Sequence, residues 1–191
     1  MIRFAAILAL AASLHAEPQT YTIDASHATA QFSVRHLMVS NVKGTFGKFS
    51  GTATWDPANL GAAKLEATID VASVNTNQIK RDEHLRSADF FDIAKFPSMT
   101  FKSARFQKSG SQLKMTGQLT IKGITKEVTF DIDGPTDEIK DPRGLFRRGA
   151  SATATINRKD FGLTYNALME AGGAVVGDEV KILLEAELVR K

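Results

Sequence analysis

A two-residue hydrophobic period restarts after one turn signal after another along most of this chain, and few folds can absorb that pattern. Over residues 28–36, Ala28, Ala30, Phe32, Val34 and His36 alternate with Thr29, Gln31, Ser33 and Arg35. This apolar row ends in a histidine, which points to a lined interior that turns polar at one end. A further strand over 44–55 carries Gly44, Gly47 and Gly51 around Phe46 and Phe49. Glycine inside a strand pattern marks a bend or a close approach. Tyr21 and Ile23 sit on a short preceding strand. The alternation returns at Ala63, Leu65, Ala67, Ile69 and Val71, and again at Met99, Phe101 and Ser103. It recurs over 113–121, 128–132, 150–156 and 180–188. Asp56-Pro57-Ala58-Asn59, Ser109-Gly110 and Lys122-Gly123 supply turns, and 134–144 is a polar loop.

One segment breaks the period. Asn75 is placed to cap a helix, with Gln78 reaching back to it. The helix carries IKRDEHLR, with Ile79 and Leu85 roughly on one face. Residues 87–92 form a second short turn or a tight loop, and Pro97 ends the excursion. Eight or nine strands with hairpin-length connections and no βαβ alternation predict an antiparallel barrel or sandwich. Two features favour a barrel: bend glycines within strands, and small residues in the apolar rows (Ala28, Ala30, Ala63, Ala67, Ala150, Ala152, Ala154). Rows of alanine underfill a solid core unless a ligand occupies the space. The alternative is that the alanines face the 12 phenylalanines across a solid core.

The chain has 191 residues, the size of one domain. Residues 1–16 read as a secretory signal peptide, with Arg3 as the basic region, 4–14 as the apolar stretch and Ala16 before the cut. The expectation is export to the periplasm and a domain over 17–191. No cysteine is present, so neither a disulfide nor a lipidated cysteine anchors the fold. Removal of 1–16 takes away Arg3 and no acid, lowering the formal net charge from +3 to +2. Basic residues are interleaved with acids, and Arg147-Arg148 is too short a run for a nucleic-acid groove.

Little in the sequence points to catalysis. His27 and His36 are nine residues apart, which puts them on opposite faces of one strand, and no histidine or carboxylate set has metal-ligand spacing. Ser26, His27 and Asp24 resemble a triad on paper, but neighbours on a strand are not expected to converge. There is no nucleophile elbow, P-loop or dinucleotide fingerprint. Arg81, Asp82, His84, Arg86 and Asp89 cluster on the inserted segment. They form either a solvated helix face or a polar cap at a barrel mouth, with Phe90 and Phe91 pointing inward.

Several short motifs in order resemble the YceI family of exported, lipocalin-like polyisoprenoid-binding proteins. They include Tyr21-x-Ile23-Asp24-x-x-His27, Phe32-x-Val34-x-His36 and Gly44-x-Phe46 with Phe49-x-Gly51. Arg81-Asp82-x-His84-Leu85-Arg86-Ser87 and Asp89-Phe90-Phe91-Asp92 follow, then Phe96-Pro97-x-Met99-Thr100-Phe101. Asn157-Arg158-x-Asp160-Phe161-Gly162 and Val176-Gly177-Asp178 complete the set. The departure is Ala28, where members often carry serine. The resemblance implies an all-β, eight-stranded antiparallel barrel, partly closed by the inserted helix, around an apolar cavity. It implies a long-tailed isoprenoid ligand, often a quinone, no cofactor, roles in transport, storage or stress tolerance, and dimers in some members. On the alternation, the apolar lining is expected from Phe32, Val34, Phe46, Phe49, Phe101, Leu119, Phe130 and Ile156. His36, Arg81, Asp82 and His84, with Phe90 and Phe91, are expected at the mouth. The alternative function is an enzyme acting on an amphiphile in the same cavity, with His84 and Asp82 as an acid–base pair.

Overall fold

A computed structural model describes residues 17–167 and 175–191. The predicted signal peptide and the glycines of Ala171-Gly172-Gly173 lie outside the described residues. The strands are β1 (Gln19–His36), β2 (Ser40–Phe46), β3 (Phe49–Trp55), β4 (Lys64–Asp70), β5 (Val74–Asn75) and β6 (Ser98–Ser109). They continue with β7 (Gln112–Ile121), β8 (Ile124–Asp133), β9 (Ile139–Lys140), β10 (Phe146–Asn157) and β11 (Val176–Arg190). Among the described residues, one α-helix, α1 (Ile79–Arg86), interrupts them. Eight strands close into a ring in the order β1, β11, β10, β8, β7, β6, β4, β3 and back to β1. Every pairing in the ring is antiparallel. With strands of ~10 residues rising ~3.3 Å each at a tilt of about 40°, such a barrel stands roughly 25 Å tall.

The expected pair of strands at the N terminus is one strand with a bulge. β1 pairs Ile23 with Leu188 and next Ala28 with Ala186, so five steps on β1 oppose two on β11. An odd number of steps swaps the faces. Tyr21 and Ile23 before the bulge, and Ala30 after it, are therefore all buried. The expected strand over 44–55 is instead broken in two at Gly47-Lys48. The lower part of β1 pairs with β3 (Tyr21 with Ala53) and the upper part with β2 (Phe32 with Gly44). The ring of Phe32 covers Gly44 so closely that a Cβ there would meet it at 2.5 Å. At Lys122-Gly123 the φ angles of 50° and 74° make the tight left-handed turn that joins β7 to β8.

Residues 71–97 leave the end of β4 and return to β6, and they fill the gap beside β2. Asp70 and Val71 nitrogens donate to the Lys48 and Pro97 carbonyls, and β5 pairs with β2 through Phe46 and Val74. The helix cap is Gln78, not Asn75: the Gln78 side chain accepts from the Arg81 nitrogen at 2.9 Å. Asn75 accepts from the Asn77 nitrogen at 2.8 Å, and Asn77 is left-handed at φ 59°, which turns the chain before a helix can start. Ile79 and Leu85 do not share a face. Steps of about 100° per residue place them about 120° apart; Ile79 is 77% exposed, while Leu85 packs on the core.

Candidate functional site: an apolar cavity with two unlike ends

The barrel is hollow. A cavity of about 470 Å³ runs inside it, which excludes the solid aromatic core. This size suits a small-molecule ligand. All eight residues expected on the wall line it: Phe32, Val34, Phe46, Phe49, Phe101, Leu119, Phe130 and Ile156. Alternation placed them correctly because each sits on a strand whose other face meets solvent. The alanines have a collective effect. Ala28, Ala186 and Ala150 lie side by side across β1, β11 and β10, with Ala30, Leu184 and Ala152 two residues on. This side of the barrel contributes short side chains. Phe101 on β6 and Phe130 on β8 contribute rings, edge to face at 5.2 Å.

The mouth lies at the α1 end. Of the residues expected there, His36, Arg81, His84, Phe90 and Phe91 line the cavity, and Asp82 does not. The Asp82 carboxylate is buried and accepts from the nitrogen and the hydroxyl of Thr76, at 2.9 and 2.5 Å. Arg81 donates to the same residue, from Nε to Oγ1 at 2.7 Å and from Nη2 to the carbonyl at 2.8 Å. Thr76 is thus the peg on which the helix hangs. The expected acid–base pair of His84 and Asp82 is not formed, because His84 Nε2 faces Asp89 at 3.0 Å. The His84 ring stands edge to face on Phe90 at 4.9 Å and on Tyr165 at 4.7 Å. Tyr165 was not foreseen, since nothing in the irregular stretch after β10 marks it.

Arg158 builds the frame of this end. It is 3% exposed and donates to the carbonyls of Gly177 (2.8 Å), Tyr165 (2.9 Å), Val176 (3.3 Å) and Leu163. These bonds tie β10 to the start of β11 and to the segment carrying Tyr165. Burial pulls the Arg158 guanidinium below its ordinary value, and Asp178 partly opposes this.

The opposite end, the floor, is closed by a polar network that sequence reasoning missed. Tyr21, 1% exposed, donates to Glu138 at 2.7 Å and accepts from Arg148 Nε at 3.0 Å. Arg148 also donates to the Thr136 carbonyl at 2.7 Å, and Arg190 pairs with Glu138 at 3.0 Å. Burial raises the Tyr21 hydroxyl above its ordinary value.

Outside the barrel, the bulge of β1 brings Asp24, Ser26 and His27 together, contrary to expectation. Ser26 Oγ donates to Asp24 at 2.6 Å, and His27 Nδ1 is 3.1 Å from Asp24 and 3.2 Å from Ser26. The extra residues of the bulge curl the backbone, so the strand argument against convergence fails. The set is not a catalytic triad, because serine and aspartate meet the same ring nitrogen; a triad needs both. Asp24, His27 and Glu187 also converge closely enough to resemble a metal site. However, Arg147 already bridges the two carboxylates at 2.7 and 2.9 Å and occupies the cation position. Arg147, then Ser26 and His27, hold the Asp24 carboxyl well below the usual range.

A closed antiparallel barrel around one deep apolar cavity, with a short helix at its mouth, defines a lipocalin-like small-molecule-binding class. The chain belongs to the YceI-like domain family, whose model matches residues 21–188. A UPF0312 protein of Staphylococcus aureus (strain MSSA476) is 40% identical over 167 residues, covering 87% of this chain and 95% of the relative. The crystal structure of a Campylobacter jejuni YceI protein is similar with a TM-score of 0.69 at 36% identity, covering 82% of this chain and 90% of that one. A polyisoprenoid binding domain from Saccharophagus degradans, implicated in plant cell wall breakdown, shares the fold with a TM-score of 0.65 at 15% identity, covering 91% and 99%.

Proposed function

We propose that the protein is a non-catalytic carrier or reservoir for a long-tailed isoprenoid lipid, held tail-first in the barrel and working in the periplasm. The observation that carries this reading is the cavity of about 470 Å³, lined along its length predominantly by apolar side chains. Each buried methylene offers ~0.8 kcal/mol before ordering costs, so the tail supplies the affinity without directional contacts. The Saccharophagus degradans domain, which is a polyisoprenoid binding domain by description, supports the choice of ligand class through a shared fold. The basic and apolar pattern of residues 1–16 supports export.

The test is extraction of protein purified from its native host with organic solvent, followed by mass spectrometry. The expected outcome is a prenyl lipid at near one per chain. Ala152→Trp, which pushes a large side chain into the wall between β8 and β11, is expected to empty the protein. Lipid retained by that variant at the wild-type level would place the ligand elsewhere.

A further inference from the structure

We infer that the ligand held in this cavity carries an anionic head, a phosphate or carboxylate on a long apolar tail, and that the head sits at the mouth against Arg81. The inference rests on the carrier reading above and narrows its ligand. Among the described residues, not one aspartate or glutamate lines the cavity. The fixed charges that do line it are Arg35, Arg81 and Arg158 toward the mouth, with Lys64 and Arg148 toward the floor. A neutral head needs no such bias, and a cationic head would be repelled by it.

Three of those cations have at least one nitrogen engaged by backbone or floor groups. Arg158 is taken up by carbonyls, Arg148 by Tyr21 and the Thr136 carbonyl, and Arg35 by the Met38 carbonyl at 2.9 Å. Arg81 differs. Its Nε and Nη2 are spent on Thr76, and these bonds fix the guanidinium plane. Its Nη1 has no hydrogen-bond partner among the described residues. The carboxylate next to it in sequence, Asp82, accepts from the same Thr76 hydroxyl and forms no direct ion pair with Arg81. The geometry therefore holds an oriented guanidinium, with one nitrogen free, at the rim of an apolar hole. A guanidinium is the side chain best matched to phosphate or carboxylate oxygens. His36 lies on the same rim, at the end of the β1 row. The wall beside it adds no acid, since no aspartate or glutamate occurs between Asp24 and Asp56.

The experiment compares one tail with different heads. Geranylgeranyl monophosphate, geranylgeraniol and geranylgeranoate are titrated into the protein by calorimetry at low and high salt. The monophosphate is expected to bind about tenfold or more tighter than the alcohol, with an advantage that shrinks in salt. Geranylgeranoate against the monophosphate tells a carboxylate site from a phosphate site. Arg81→Gln is expected to weaken the monophosphate about tenfold more than the alcohol. Arg81→Lys keeps the charge but loses the planar bonds to Thr76, and it is expected to retain part of the preference. Equal affinity for phosphate and alcohol in the wild type, or a preference undiminished in Arg81→Gln, overturns the anionic head while leaving the carrier reading intact. If no tailed compound binds, the carrier reading falls with it. Should Arg81→Gln fail to fold, the wild-type ratio and its salt dependence still decide.

Discussion

The two ends of the barrel are closed by different chemistry. At the floor, Tyr21, Glu138, Arg148 and Arg190 meet through short, directional, charge-assisted bonds that arrive from both ends of the chain and from the loop before β10. At the mouth, the rings of His84, Phe90 and Tyr165 touch one another, His84 edge to face on the other two, and the helix hangs on Thr76. Directional bonds to charged groups hold one geometry, whereas ring contacts lose little when they slide. The floor is built to stay shut and the mouth to give way, so ligand traffic belongs at the mouth.

The comparison has a rigid part on both sides, and the largest effect is expected there. Arg158→Ala strips a buried cation from four carbonyls and is expected to lower stability by about 3–5 kcal/mol in urea unfolding. A loss below about 1 kcal/mol would show that the mouth frame does not depend on it. At the floor, Tyr21→Phe removes both hydroxyl bonds and is expected to cost about 1–2 kcal/mol, with no change in the rate of lipid release. Faster release from that variant would mean that the floor leaks. At the mouth, Tyr165→Ala is expected to do the reverse: stability within about 1 kcal/mol of the wild type, but release of a bound fluorescent lipid about two- to tenfold faster by stopped flow. Unaltered release would move the gate off these rings.

The smallest effect concerns acid. Asp24 and Asp141 are both held below their ordinary values, chiefly by Arg147. A carboxyl depressed in the folded state adds stability that is fully present above its unfolded value, about 4. That stability is lost as the pH falls from there toward the folded value. Thermal melts of Asp24→Asn should therefore lie below wild type at pH 7, with the gap narrowing as the pH falls below about 4. Parallel curves across that range would remove the linkage.

The sequence made the walls legible and left the ends obscure, for a physical reason. On β7, Leu113, Met115, Leu119 and Ile121 are all buried, as a strict two-residue period requires. That rule is local and needs no knowledge of neighbours. The bulge at 24–27 escaped it because polar residues hide the change of face. Asp82 was misplaced because helical spacing says where a residue sits, not that its carboxylate folds back to Thr76 six residues earlier. The floor depends on partners far apart in the chain, such as Tyr21 and Arg148, which meet only once the ring closes.

That closure has a consequence for how the molecule is made. β1 and β11 form the seam, from Tyr21 opposite Arg190 up to His36 opposite Val176. The first strand to be synthesised therefore waits, with one edge unpaired, for the last. Contacts of such long sequence separation slow folding, since the loop entropy is spent before the pairing is gained. Until β11 arrives, the β1 edge is open to other strands. A chain truncated before residue 176 is expected to populate an open, aggregation-prone sheet, and the time to acquire seam protection in pulsed hydrogen exchange should mark the final step of folding.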